Sequence, residues 1–237
     1  MFRAIPLVAL TSSNRMSQAI NSQEFLNKKM FIHDIDSFDL CYDELFVQEM
    51  YNFLAKRTNP YIIDCGANLG MSIVYFKELY PEANIVAFEA DEHVFSFLEK
   101  NVQSFGYKNV ELVNKAVWNK DDVLSFIVEG GAGGRLEEQS ENGNYTYKYV
   151  PCVSVRKYLM DKKVDFFKID IEGAEYPLLD YLFETGLIKV FKKTQVQFHD
   201  FDEDCLEKLL YMNRKLAETH QNTLCYPFVW EEWQIRN

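Results

Sequence analysis

The chain has 237 residues, of which 48% are hydrophobic and 15% aromatic, enough to build the core of one α/β domain. Its formal net charge of −11 argues against a nucleic-acid partner, because binding to phosphates requires a basic surface, and offers no attraction to anionic lipids. An apolar run at residues 4–10 is too short to cross a bilayer, so no membrane span is expected.

The cysteines are five in number and scattered through the chain. They form no C-x-x-C pair and no metal-finger spacing, which indicates free thiols in a reducing compartment and predicts a cytoplasmic location. The sequence leaves the oligomeric state open, and an oligomer is possible. The residues concerned are Cys41, Cys65, Cys152, Cys205 and Cys225.

The predicted organisation is an N-terminal arm over residues 1–40 and a single domain over residues 41–237. The arm is expected because its sequence is mixed and polar, with Ser and Asn clusters near residues 11–14. Apolar residues at helical spacing predict a helix over 43–56. Pro60 then disfavours helix in the residue before it.

The most informative segment covers residues 61–80. Apolar residues 61–63 run into the turn Asp64-Cys65-Gly66-Ala67-Asn68-Leu69-Gly70, and a helical pattern follows. This predicts a strand over 61–65 and a helix over 70–80, the unit that builds nucleotide-type sites in α/β proteins. The turn has G-x-x-x-G in place of G-x-G-x-x-G and lacks the Lys-Ser/Thr of a phosphate loop, which argues against a dinucleotide and ATP.

A second predicted strand, over residues 84–89, ends in Glu89, which lies 19 residues after Gly70. In Rossmann-like sheets an acid at this place, about 20 residues past the glycine turn, accepts hydrogen bonds from ribose hydroxyls. A strand-end glutamate alone is usually just solvated. Together with the glycine turn, Glu89 indicates a ribose-bearing cofactor.

The pattern changes after a predicted helix over 91–104 and strand over 110–114. Residues 123–128 and 145–150 are typical of two β segments. The segment 129–144 between them begins with four of the ten glycines. Such a segment is a flexible linker by default, and its length also suits a lid.

Alternation returns in the second half, with helices predicted over 154–162, 174–184 and 203–218, strands over 164–170 and 190–198, and a β region over 223–230. Alternating strands and helices predict an α/β fold with a doubly wound, mostly parallel sheet. Ligands bind outside the carboxyl ends of such strands. The residues expected at those ends are Gly66, Glu89, Val117, Asp170 and His199.

Three motifs resemble those of FkbM-type S-adenosylmethionine-dependent methyltransferases. They are the turn at 64–70, Ala87-Phe88-Glu89-Ala90, and Lys168-Ile169-Asp170-Ile171-Glu172-Gly173-Ala174-Glu175. The last motif is the most specific, because the glycine turn fits nearly any methyltransferase of this fold. Ala90 stands where proline is common in the family, and Cys65 where valine or leucine is common.

The resemblance implies a Rossmann-like class I methyltransferase fold with a β insertion, and S-adenosylmethionine as cofactor. The glycine turn is expected to approach the methionine and ribose portions, and Asp64 to attract the cationic amine. Residues after the third strand are expected to flank the adenine. The expected cofactor-binding residues are Asp64, Gly66, Asn68, Leu69, Gly70, Glu89, Ala90, Ala116 and Val117.

The expected acceptor side contains Asp170, Glu172, His199 and Asp200, which follow two neighbouring strands. In one mechanism His199 is the general base and a carboxylate orients it. In the other, Asp170, Asp200 and His199 or Glu172 hold Mg²⁺ or Mn²⁺, which lowers the pKa of the acceptor hydroxyl. We favour metal-free catalysis by Asp170, His199 and Glu172, because the four residues are not a specific ligand signature. The structural alternative is that the acids cap the next helix and His199 only supports the fold.

The resemblance also implies a small-molecule acceptor such as a sugar hydroxyl. We expect a nucleotide-activated or polysaccharide sugar, because an aromatic-rich chain can stack on sugar rings. The alternatives are an O- or N-methyltransferase of a secondary metabolite, a dinucleotide-dependent oxidoreductase and a cofactor-binding module without catalysis. The aromatic residues considered for stacking are Tyr145, Tyr147, Tyr149, Trp230 and Trp233.

Overall fold

The computed structural model describes residues 22–128, 134–136, 147–160, 162–201 and 203–236. It begins with an antiparallel hairpin of β1 (Ser22–Phe25) and β2 (Lys28–Phe31). Helix α1 (Ile35–Tyr42) follows and continues into a π-helical turn (Asp43–Val47). The helix predicted over 43–56 is therefore displaced toward the N-terminus, because Asp34 caps a helix that starts earlier and Glu49 takes a positive φ soon after its end.

The hairpin and α1 pack onto the domain, although the sequence places them in an arm. Phe25, Met30 and Phe38 are buried in one cluster with Ile62 of the central sheet. The structure thus places residues 22–40 within the domain, and residues 1–21 of the expected arm lie outside the described part. Because the exposed positions of the hairpin are polar, the few apolar residues that pack it onto the domain are difficult to recognise in the sequence.

The next elements follow the predicted order closely. They are β3 (Tyr61–Cys65), α2 (Met71–Leu79), β4 (Asn84–Phe88), α3 (Glu92–Phe105) and β5 (Val110–Val113). Asp91 caps α3 by accepting hydrogen bonds from the amides of His93 and Val94 at 2.8 and 3.1 Å. Gly106 ends the helix with a φ of 70°.

A second sheet forms the insertion. Its strands are β6 (Ala116–Trp118), β7 (Asp122–Val128), β8 (Gly134–Leu136) and β9 (Tyr147–Ser154), in the order β6-β9-β7-β8. The two predicted β segments are therefore paired strands of one sheet. Apart from β8, the segment 129–144, expected to be a flexible linker or a lid, lies outside the described residues.

The last third supplies the other half of the central sheet. Its elements are α4 (Arg156–Leu159), β10 (Phe166–Ile169), α5 (Glu175–Glu184), a 3₁₀ turn (Leu187–Val190), β11 (Lys193–Val196), α6 (Cys205–Ala217), β12 (His220–Tyr226) and β13 (Trp230–Ile235). The sheet order is β5-β4-β3-β10-β11-β13-β12. The five strands from β5 to β11 are parallel, and β13 is antiparallel to both neighbours. The predicted doubly wound, mostly parallel sheet is confirmed.

Helices cover both faces of this sheet. Ile62 and Ile63 point to opposite faces, as alternation along a strand requires, and each joins a different apolar cluster. One cluster includes α2, α3 and the hairpin, and the other includes α4, α5 and α6. None of the helices in the described ranges is long and apolar enough to cross a membrane. The five cysteines are free thiols.

The burial of Met30 provides a test of whether the hairpin belongs to the domain. Met30→Ala should lower the free energy of unfolding by about 2–5 kcal/mol, because it leaves a cavity in a packed cluster. Urea denaturation measures this. Lys28→Ala on the exposed side of the same hairpin is the control and should change stability by less than about 0.5 kcal/mol. Equal stability of the two variants would mean that the hairpin is a loose arm.

Candidate active site

A buried lysine occupies the centre of the carboxyl edge of the sheet. The Nζ atom of Lys168 donates to the carbonyl of Gly66 at 2.5 Å and lies 3.5 Å from Asp64 Oδ1 and 3.3 Å from Asp170 Oδ2. Burial alone would lower the pKa of Lys168, but the two carboxylates raise it above its usual value. The ammonium therefore stays charged and joins the end of β3 to the end of β10.

Asp64 is 0% exposed and its partners lie inside the protein. Its Oδ2 accepts a hydrogen bond from Ser72 Oγ at 2.5 Å, and burial raises its pKa against the lowering effect of Lys168. The sequence predicts that Asp64 attracts the amine of the cofactor. In the structure its charge is balanced by Lys168, and its carboxylate joins the end of β3 to Ser72 of α2.

The first glycine of the turn is required by the neighbouring strand. Gly66 has a φ of 85°, and a Cβ atom there would lie 1.9 Å from the main-chain oxygen of Asp170. The sequence argument assigns this space to a ligand, whereas in the structure a backbone carbonyl occupies it. Gly70 has a φ of 93°, and a Cβ there would lie 2.8 Å from the side chain of Leu98. Both positions therefore favour glycine for conformation, and Gly66 needs it for close packing as well, because a backbone carbonyl cannot move aside as the end of the Leu98 side chain can.

Glu89 lies at the end of β4, as predicted, and is partly exposed beside the turn. Its Oε2 accepts from the amide of Asn68 at 3.0 Å, and its Oε1 accepts from the amide of Asp91 at 2.9 Å. Burial raises the pKa of Glu89 to about 7. A carboxylate has about four acceptor positions, so each oxygen keeps one for a further donor.

The other expected cofactor residues divide between the edge and the core. Ala90 is partly exposed next to Glu89, whereas Leu69 is buried. Ala116 and Val117 belong to β6 in the second sheet, and the Val117 side chain is buried in the core. Strand β5 ends at Val113, so the first polar side chain after it is Asn114, whose Nδ2 donates to the Glu89 carbonyl at 3.0 Å. Sequence reasoning missed this asparagine because it extended the third strand by one residue.

Two residues outside the motifs also contact the glycine turn. His33 is hydrogen-bonded to Asn68, and Asn101 on α3 is hydrogen-bonded to the carbonyl of Leu69. Each contact joins residues more than 30 positions apart in the chain. Pairs so distant in the chain cannot be predicted from a local sequence pattern.

On the expected acceptor side, His199 is held by a buried glutamate that sequence reasoning did not assign. Glu175, at the start of α5, is 0% exposed. Its Oε1 accepts from both the amide and Nδ1 of His199 at 2.8 Å, and its Oε2 accepts from the amide of Gly173 at 2.9 Å. Because a carboxylate only accepts, Nδ1 of His199 carries the proton that is donated to Glu175, and Nε2 faces away from Glu175.

The Nε2 atom of His199 points toward two further acids. It lies 3.8 Å from Asp170 Oδ1 and 3.5 Å from Glu172 Oε2. Burial lowers the pKa of His199, but Glu175, Glu172 and Asp170 together raise it to about 8. The structure thus brings the three predicted catalytic residues together. Asp200 is exposed and stands outside this group.

The aromatic residues near the site differ from those expected to stack on a sugar. Trp230 is 2% and Trp233 4% exposed, and their indole groups donate to Glu44 and Glu231. Phe201 is 37% exposed, and its ring stacks on His199 with centroids 5.1 Å apart. Tyr149 is exposed on β9, and the side chains of Tyr145 and Tyr147 lie outside the described part.

Two known methyltransferases are similar to this chain in sequence. Methyltransferase sdnD of Sordaria araneosa is 38% identical over 171 residues, and Methyltransferase 1 of Beauveria bassiana (strain ARSEF 2860) is 24% identical over 163 residues. The alignments cover 58% and 60% of this chain, respectively, and 66% of each relative, just under two thirds.

A solved structure shares the fold. Methyltransferase FkbM from Methylobacillus flagellatus KT superposes with a TM-score of 0.56 at 15% identity, over 81% of this chain and 47% of that one. The model of the methyltransferase FkbM domain matches residues 64–219, which contain the glycine turn, Glu89, Lys168, Glu175 and His199. The chain therefore belongs to the FkbM family of S-adenosylmethionine-dependent methyltransferases.

Proposed function

We propose that this protein transfers a methyl group from S-adenosylmethionine to a hydroxyl group of a sugar. The observation that carries the proposal is the His199–Glu175 pair, which directs Nε2 of the imidazole toward Asp170 at the carboxyl edge. Above the His199 pKa of about 8 this nitrogen is unprotonated and can accept a proton. Glu89 lies at the same edge, on the other side of Lys168. A cofactor bound at Glu89 and an acceptor bound at His199 would meet there.

The residues on the cofactor side fit the ribose of S-adenosylmethionine. Glu89 has used one acceptor position on each oxygen for the amides of Asn68 and Asp91, and the two that remain suit a pair of vicinal hydroxyls. When bound, S-adenosylmethionine supplies the methyl on a positively charged sulfur. The acids around this edge favour such a charge electrostatically.

The task of the acceptor side is orientation and proton removal, because the donor is already activated. His199 Nε2 accepts the proton that the acceptor oxygen loses as it takes the methyl. Glu175 keeps the other proton on Nδ1 and stabilises the imidazolium that forms. Asp170 is placed to orient the hydroxyl toward Nε2.

The charges nearby favour a neutral acceptor ring over a nucleotide-linked one. Asp170, Glu172 and Asp200 present acidic groups at this side, and Lys168 is engaged by Asp64 and Asp170. A diphosphate would be repelled by these acids. The exposed ring of Phe201 beside His199 offers an apolar surface for a sugar face. A screen of neutral glycosides and nucleotide-activated sugars for methyl transfer tests the acceptor class.

Catalysis assisted by a divalent cation is the second mechanism, and one observation supports it. The ligand atoms of Asp170, Glu172 and His199 all lie within 4.8 Å of one another. The bond from His199 to Glu175 resembles the support that metal-bound imidazoles commonly receive. These three residues would hold Mg²⁺ or Mn²⁺, which lowers the pKa of a coordinated hydroxyl.

We propose a cytoplasmic location from the scattered cysteines, and leave open whether the protein is an oligomer.

The raised pKa of Glu89 predicts how cofactor affinity depends on pH. The ribose hydroxyls bind the carboxylate, so affinity should be full well above pH 7 and fall as the pH drops through the Glu89 pKa of about 7, where half of the carboxyl groups are protonated. Below it the Kd of S-adenosylhomocysteine should rise by up to about tenfold per pH unit. Isothermal titration between about pH 5.5 and 8.5 measures this. Glu89→Gln cannot titrate and should bind S-adenosylhomocysteine more weakly at pH 8. Any pH dependence that remains in this variant comes from ionisation of the ligand and can be subtracted. A Kd that is independent of pH would remove Glu89 from the ribose site.

The roles of the acceptor-side residues predict a second set of results. Asp170→Asn, His199→Ala and Glu175→Gln should each lower the catalytic rate by about 10²-fold or more while cofactor affinity stays near normal. The base must be deprotonated, so kcat/KM should rise with pH through the His199 pKa of about 8. Glu175→Gln should move that midpoint to lower pH, because Glu175 raises the pKa. Asp200→Asn is the matched control, and full activity in the His199 and Asp170 variants would place the reacting centre elsewhere.

Removal of metal distinguishes the two mechanisms. Metal-free catalysis predicts unchanged activity after dialysis against a chelator, with the rate still rising through the pKa that His199→Ala removes. Loss of activity that returns with Mg²⁺ or Mn²⁺ would instead assign Asp170, Glu172 and His199 as ligands.

A further inference from the structure

The hairpin at residues 22–31 lies beside the glycine turn, although it precedes the region 64–219 that matches the family. Strand β2 packs along α3, where Ser104 Oγ donates to the carbonyl of Lys29 at 2.6 Å. The chain then passes His33, whose ring meets that of Phe97 on α3 with centroids 5.5 Å apart. The hairpin and α3 therefore form one support next to the turn.

Asn101 on α3 joins the hairpin directly to the turn. It is 1% exposed. Its Oδ1 accepts from the amide of Phe31 at 2.6 Å, and its Nδ2 donates to the carbonyls of Phe31 at 2.9 Å and Leu69 at 2.7 Å. The buried carboxamide thus uses both donor hydrogens and its oxygen on the main chain, which no other side chain of its size can reproduce.

His33 makes the second connection. Its Nε2 lies 2.8 Å from Asn68 Oδ1. Asn68 has a φ of 48°, a left-handed conformation that L-residues seldom adopt, and its amide donates to Glu89 Oε2 at 3.0 Å. The same residue is therefore held by His33 through its side chain and aimed at Glu89 through its main chain.

We propose that Asn101 and His33 are positioning residues for the cofactor, and that the hairpin is part of the cofactor site. The two side chains fix the turn at Asn68 and Leu69, so that the Asn68 amide stays on Glu89 and the carboxylate keeps its direction toward the ribose. This inference rests on the proposed role of Glu89. It assigns cofactor affinity to a segment that the sequence pattern places in an arm.

The first test compares two positions on α3 that both contact the hairpin. Asn101→Leu removes the link to Leu69, and the Kd of S-adenosylhomocysteine, measured by titration, should rise by roughly tenfold or more. Ser104→Ala removes a hairpin contact without touching the turn, and its Kd should stay within about twofold. The pH midpoint of binding should also move above 7 in Asn101→Leu, because the Asn68 amide lowers the pKa of Glu89. An unchanged Kd and midpoint in Asn101→Leu would overturn the proposal.

A second pair keeps the test decisive if Asn101→Leu fails to fold. His33→Ala removes the contacts of this side chain with Asn68 and Phe97, and it should also raise the Kd of S-adenosylhomocysteine. His93→Ala is matched, because His93 meets the same Phe97 ring at 5.3 Å from an exposed position and does not contact Asn68. Equal affinities in this pair would overturn the role of His33.

Hydrogen exchange separates this inference from the proposed function. In the ligand-free protein the amide of Asn68 should exchange faster in His33→Ala and Asn101→Leu than in the two controls. If the unmodified protein did not bind S-adenosylhomocysteine, the cofactor assignment would fall, while exchange would still decide whether the two residues hold the turn. Equal exchange in all four variants would overturn the inference on its own.

Discussion

The carboxyl edge of the sheet depends on one buried charge, the ammonium of Lys168. Taking such a group out of water costs several kcal/mol, and oxygen atoms of Asp64, Gly66 and Asp170 offset that cost. Asp64 lies in β3, Gly66 directly follows β3, and Asp170 directly follows β10, so a shift of either strand end would weaken the pairing of this charge. Breaking a buried pair of this kind typically costs about 3–5 kcal/mol. The contact that stabilises the fold therefore also fixes the distance between the two halves of the site.

The acids around Lys168 have different properties because their surroundings differ. Glu89 receives two backbone amides but is largely removed from water, and the loss of solvation dominates, so its pKa rises. Glu175 is paired with an imidazole, and it shifts the titration of His199 upward against the effect of burial. Two groups that titrate near neutral pH thus lie on either side of a lysine that does not. Protonation can change the site in this range without disturbing the pair that holds it together.

Local patterns predicted the parts of this site that are continuous in the chain. The apolar runs of β3 and β4, the glycine turn and Glu89 follow from strand periodicity and spacing, and Asp170, Glu172 and His199 follow from the order of parallel strands. The parts that depend on distant pairing were not predictable in this way. The contacts of Asn101 and His33 with the turn, and the position of Val117 in a second sheet, arise from tertiary packing. Glu175 resembles an ordinary acid at a helix start, and only the folded structure shows its contact with His199.

The absence of a side chain at Gly66 lets the main chain of Asp170 approach very closely. The ends of β3 and β10 are thereby packed backbone against backbone. A larger residue at Gly66 would displace both strand ends. Variation that leaves this contact intact must then fall on exposed side chains of the same edge. Phe201 lies on this surface, with its ring 37% exposed and stacked on that of His199. A substitution of Phe201 would therefore change the surface beside His199 while leaving the backbone contact between the two strand ends in place.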